Sequence, residues 1–158
     1  MRSLDESVQR LDELASRLNQ ATDKLNDQIE AVEQRLSATR IGLEVWLGDD
    51  RIPADPLRES ETDFFTVGWT KLGEGWRLAA RKTEFSEFSG DWNTLDPQPL
   101  TNAPRHVRMQ ALPLVLNIVE RLGNEAERWL RDVEHAINGS PAMPPAPELP
   151  LAEDDIPF

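Results

Sequence analysis

The sequence predicts an α+β fold: an N-terminal heptad helix of coiled-coil type, a small antiparallel sheet, a long C-terminal helix and a disordered, Pro-rich acidic tail. Three observations carry this. Residues 3–39 repeat with a period of seven, two alternating apolar runs flank a Gly-rich turn near residue 73, and a broad apolar stripe over 103–138 ends at Asn138-Gly139. The chain divides accordingly into a coiled-coil helix (1–40), a small α+β domain (41–139) and a linker with its tail (140–158).

In the first segment Leu4, Leu11, Leu18, Leu25 and Val32 recur every seven positions, and Val8, Ala15, Thr22, Ile29 and Leu36 form the companion series. Ser3 followed by Asp5 and Glu6 suits a helix start, since a hydroxyl caps orphan N–H groups and acids face the positive end of the helix dipole. With the Leu series at d, the pattern leans toward a parallel homodimer through Leu4, Leu11, Leu18, Leu25, Ile29 and Val32, although Ala15 and Thr22 weaken the a layers. Packing of the same stripe on another helix of its own chain is the competing expectation.

In the second segment Ile41, Leu43, Val45 and Leu47 alternate with Glu44 and Trp46 and read as a strand. Residues 48–60, with two prolines and Asp49-Asp50, read as a loop. Phe65, Val67 and Trp69, then Leu72-Gly73-Glu74-Gly75, then Trp76, Leu78 and Ala80 describe a hairpin. Residues 86–104 read as a long loop, with Asp91–Leu95 as a short fourth strand. One sheet face then needs a cover, and the helix over 103–138 supplies it through Leu112, Val115, Val119, Leu122, Ala126, Trp129, Val133 and Ala136. Asn102 is the expected cap, Pro113 the expected kink, and Gly123-Asn124 a weak point through which the stripe keeps its phase.

Composition excludes several functions. The formal charge is −12, and residues 1–140 alone hold 25 acids against 17 bases, a poor match for a phosphate backbone. The absence of Cys removes disulfides, thiol catalysis and Cys-ligated metals. His106 and His135 stand in no metal-ligand spacing, no Gly-rich loop resembles a phosphate cradle, and Lys82, Glu84 and Glu87 lack an upstream carboxylate to complete a nuclease cluster. No catalytic residue, metal or cofactor is therefore expected. No apolar run is long enough for a membrane span, and acids occupy the place of a signal peptide's apolar stretch, so a cytoplasmic protein is expected.

The aromatic and basic residues offer a second candidate. Trp69 and Trp76 flank the hairpin turn, and Arg77, Arg81 and Lys82 follow; tryptophan and arginine on one sheet face would stack bases. Strict alternation instead puts Trp69 and Trp76 with Val67 and Leu78, and Arg77 and Arg81 on the opposite side. Trp46 and Trp92 have no basic neighbours in sequence and read as packing residues. Direct nucleic-acid binding is accordingly not expected.

The third segment opens with Pro141, Pro144, Pro145, Pro147 and Pro150, a semi-rigid linker of about 3.1 Å per residue. It leads to Glu153, Asp154, Asp155, Ile156, Pro157 and Phe158: three acids, two apolar side chains and a carboxylate on an aromatic residue. Pro157 holds Ile156 extended, so little ordering is lost on binding. A partner suited to it has an apolar pocket, a cation for the carboxylate and a basic rim.

Asp154, Asp155, Ile156, Pro157 and Phe158 match, one by one, the tail tip of bacterial single-stranded DNA-binding protein, with Glu153 where that family has a third Asp. The tip resembles that family's; residues 1–140 do not, since the family's DNA-binding domain is a five-stranded OB-fold at the N-terminus. The resemblance implies recruitment of genome-maintenance proteins involved in DNA replication and repair. The expected function is a non-enzymatic interaction protein that recruits, or competes for, such proteins. The alternative is a single-stranded nucleic-acid-binding module with a recruitment tail.

Overall fold

The computed structural model describes residues 1–58 and 62–139. The linker and the tail tip, Glu153 to Phe158, therefore lie outside the described residues. The chain divides into two compact units, Met1–Ala126 and Glu127–Phe158.

Helix α1 spans Leu4–Ala38. It starts on a reciprocal cap: the Glu6 N–H donates to Ser3 Oγ at 3.3 Å, and the Ser3 N–H donates to Glu6 Oε2 at 3.0 Å. It stops where Arg40 (φ 52°) and Gly42 (φ 61°) turn left-handed, with Thr39 Oγ1 donating to the Leu36 carbonyl at 2.6 Å. Strands β1 (Val45–Trp46) and β2 (Ile52–Pro53) are two residues each. The hairpin of β3 (Phe64–Leu72) and β4 (Gly75–Phe85) is the body of the sheet, and β5 (Trp92–Thr94) and β6 (Gln98–Pro99) complete it. Every pairing is antiparallel; β1 and β2 lie against β3, and β5 and β6 against β4.

The expected hairpin holds. Leu72 pairs with Gly75, and Gly73 takes φ 61° at the first turn position, where a side chain is disfavoured. The expected first strand is shorter than its alternation suggests. Val45 and Leu47 are buried and Trp46 points to the other face, but Ile41 and Leu43 pack on the core without strand pairing. The expected loop at 48–60 contributes β2, whose Pro53 is tolerated because the strand lies at the sheet edge.

Register divides the sheet into two faces. Phe65, Val67, Trp69, Leu78 and Ala80 share the inner face, and all are at most 4% exposed. Over them pack Ile29 of α1, Leu100 of a short 3-10 turn and Ala103 just after it, Val107 and Ala111 of α2 (Arg105–Ala111), and Val115, Ile118 and Leu122 of α3 (Val115–Gly139). The C-terminal helix is thus two helices. Pro113 sits in a 3-10 turn, Leu112–Leu114, because its ring cannot donate and crowds the preceding turn. Asn102 does not cap α2; it belongs to the Leu100–Asn102 turn, and Pro104 occupies the cap position. Gly123-Asn124 leaves α3 unbroken, as expected.

Two expectations about apolar stripes need correction. Val119, Trp129 and Val133 are 41–55% exposed, so the cover supplied by α3 comes from its Val115, Ile118 and Leu122. In α1 the seam divides. Ile29 is fully buried in its own core, with Leu25 and Val32 packed beside it, so these three are taken up within the chain and are not a free dimer seam. Leu4, Val8, Leu11 and Leu18 remain 48–79% exposed. The physical reason is that a heptad marks an apolar stripe without specifying what covers it.

Candidate functional site

The three basic residues singled out on β4 do not come together. Arg77 turns to α1 and the 3-10 turn: its Nη2 lies 3.4 Å from both Glu33 Oε2 and Thr101 Oγ1. Lys82 shares the inner face's side of the strand and pairs with Glu84 at 3.0 Å. Arg77 and Arg81 both leave β4 on the outer face, as the alternation predicts, but only Arg81 stays over it, where its guanidinium carbon sits 4.0 Å from the centre of the Trp46 ring and Nε donates to Thr66 Oγ1 at 3.4 Å.

Glu33 was not legible as special from its heptad position. It is 8% exposed, and its Oε1 has no hydrogen-bond partner. Burial pushes its carboxyl above the ordinary value; the Arg77 charge and hydrogen bond oppose this, and Glu30 adds to it. The pair ties α1 to the edge of β4 and leaves Arg77 little freedom to contact a ligand.

The outer face has a character that sequence neighbours did not reveal. Gly68 lies beneath Trp46, and the Arg121 guanidinium donates to the Trp46 carbonyl at 2.9 Å. Arg51 stacks over Phe64 at 4.3 Å, and Trp92 meets Phe64 at 5.7 Å and Phe85 at 5.1 Å between ring centres. Trp92 is 51% exposed. Small residues line the floor: Thr66, Thr70, Ala79 and Thr83 are buried there, Thr70 bonding Glu44 and Thr83 facing Thr94 at 3.1 Å. Trp46 and Trp92 thus belong to an aromatic and arginine surface, and the signal that could have found it is the two-residue alternation extended across all strands. Trp69 and Trp76 stack on the inner side as expected, with centres 6.3 Å apart.

On this face Arg81 covers Trp46 and Arg51 covers Phe64, so the outermost planar groups are the two guanidinium groups and the exposed Trp92 ring, with acids such as Glu44 and Asp63 at the margin. Among the described residues no group of three or more His, Asp or Glu side chains gathers to hold a metal ion, and no helix is long and apolar enough to cross a membrane. His106 Nε2 lies 3.0 Å from the Pro53 carbonyl, a link between α2 and β2. A recess at the end of α1, lined by Leu36, Ser37, Arg40, Ile41, Trp69 and Trp76, mixes apolar and polar surface, with one cation on its rim.

Comparison with family models, curated proteins and solved structures finds no significant match.

Proposed function

We propose that this chain is a non-enzymatic interaction protein whose Glu153, Asp154, Asp155, Ile156, Pro157 and Phe158 capture proteins that take the acidic tail of bacterial single-stranded DNA-binding protein. The observation that carries the reading is the residue-by-residue match of Asp154–Phe158 behind a Pro-rich linker. Three acids steer toward a basic rim, and Ile156 and Phe158 fill an apolar pocket. An acidic body is compatible with protein partners and repels nucleic acid. Capture either recruits the partner to whatever the body binds or removes it from competition.

The test is titration of a protein known to take that tail with the intact chain and with a chain lacking Phe158, using the tail peptide as competitor. Loss of binding on deletion and displacement by the peptide support the reading. Equal binding by both chains, or no displacement, overturns it.

The outer sheet face favours a second reading, a module that stacks single-stranded nucleic acid on Trp46, Phe64 and Trp92 with Arg51 and Arg81. Salt-sensitive oligonucleotide binding that is lost on Trp92→Ala and Arg81→Ala, and kept on Lys82→Ala, would establish it over the first.

A further inference from the structure

We infer that the exposed half of α1, residues 4–22, is an antiparallel dimer interface whose occupant is the same half-helix of a second copy. The inference is independent of the tail. The stripe is apolar and unpartnered: Leu4, Leu11, Leu14 and Leu18 are 44–79% exposed on a stretch about 28 Å long. Below it the seam turns into the chain's own core at Leu25 and Ile29, so a parallel pair, running on along one seam, meets both bodies at the same end. An antiparallel pair sets the bodies at opposite ends.

Side-chain size gives the register. The d layers are Leu4, Leu11 and Leu18; the a layers are Val8, Ala15 and Thr22. Parallel pairing stacks like on like and leaves Ala15 against Ala15 and Thr22 against Thr22, an underfilled seam. Antiparallel pairing sets a against d: Leu4 on Thr22, Leu11 on Ala15 and Leu18 on Val8 of the second copy, large against small in every layer. Leu14 then lies beside its own symmetry mate near the two-fold axis.

Two further observations agree. Residues 1–13 carry Asp5, Glu6, Asp12 and Glu13 against Arg2 and Arg10, whereas 14–25 carry Arg17 and Lys24 against Asp23. Antiparallel pairing thus brings a half with two excess acids alongside a half with one excess base, a long-range attraction only, since Arg17 and Lys24 lie away from the seam; the charged residues that flank the seam are Asp5 and Asp12, and the two Asp12 residues meet near the axis. The stripe also opens into an apolar groove between α1 and α2, lined by Leu18, Ala21, Leu25 and Met109. Met109 is 58% exposed, and this register seats Met1 and Leu4 of the second copy in that groove.

The chain has no cysteine, which makes the test direct. Leu11→Cys and Ala15→Cys are made as separate full-length variants and oxidised alone and mixed. The expected result is little cross-linking of either alone and a disulfide dimer in the mixture, because position 11 faces position 15. In a parallel pair each variant cross-links with itself, and that result overturns the inference. Light scattering of the unmodified chain at about 100 μM is expected to give a dimer mass, and Met109→Glu to weaken the dimer at least tenfold while helix content stays unchanged. A monomer mass, an unaffected Met109→Glu, or cross-linking of position 11 to a cysteine introduced at Trp129 overturns it as well.

Discussion

Gly68 of β3 lies directly beneath the ring of Trp46, so close that a β-carbon there would stand 2.7 Å from the indole and 2.4 Å from the Val45 carbonyl oxygen. Neither neighbour can withdraw cheaply: one is the paired backbone of β1, and the other is held between this floor and Arg81.

Gly68→Ala is therefore expected to cost about 2–3 kcal/mol, the upper range for overpacking, and to lower the thermal midpoint by several degrees. Adding Trp46→Ala should recover only part of the loss, because the clash with the Val45 carbonyl remains; a double-mutant cycle by thermal melting measures the coupling.

Ile29 and Leu11 belong to one apolar stripe but should respond oppositely. Ile29→Ala opens a cavity in a fully buried site and is expected to cost about 2–5 kcal/mol in denaturant unfolding. Leu11 is 65% exposed, and at a concentration below self-association Leu11→Ala should change stability by less than about 0.5 kcal/mol. Similar losses for both would mean that Leu11 is covered within the chain.

Glu33 gives the fold a pH dependence. Its folded-state pKa is raised by burial, so folding favours the protonated form. That contribution is fully present below the unfolded-state pKa of about 4.3 and is lost as the pH rises through the folded-state value. Glu33→Gln keeps a hydrogen-bonding group beside Arg77 and cannot ionise. The melting temperature of the variant relative to the unmodified chain should therefore rise from about pH 4 to neutrality; a flat difference would contradict the burial of Glu33.

On the proposed reading of the tail, Phe158 supplies most of the apolar area a partner would cover, about 2–3 kcal/mol if fully buried. Its deletion should weaken partner capture more than tenfold without altering the far-ultraviolet spectrum. Asp154→Asn with Asp155→Asn should act on a different quantity, slowing association and flattening its salt dependence in stopped-flow measurements.

Much of this fold was legible because it is written in short-range pattern. The Ser3–Glu6 cap, the Gly73 turn and the break at Pro113 each depend on a few adjacent residues. What stayed illegible depends on pairs far apart in the chain. Arg77 meets Glu33 across 44 positions, and Arg81 reaches Trp46 across the hairpin, so neither the captured arginine nor the aromatic outer face announces itself in sequence. Trp129 and Val133 fit the period of a buried stripe yet lie exposed, since periodicity ranks the faces of a helix and does not bury them. The proposal for the tail tip rests wholly on the order of its side chains.

The burial of Ile29 sets the angular phase of everything N-terminal to it. A helix advances about 100° per residue, so with Ile29 fixed against the sheet, the azimuth of Leu18, Leu11 and Leu4 about the helix axis is fixed as well. The rod cannot roll to offer another flank, and a binding surface on it is clocked to the body as a key's teeth are to its bow. One residue inserted between Leu18 and Leu25 would swing the whole leucine edge about 100° away from the groove beside Met109, while seven would return it to within about 20° and displace it along the axis by about 10 Å.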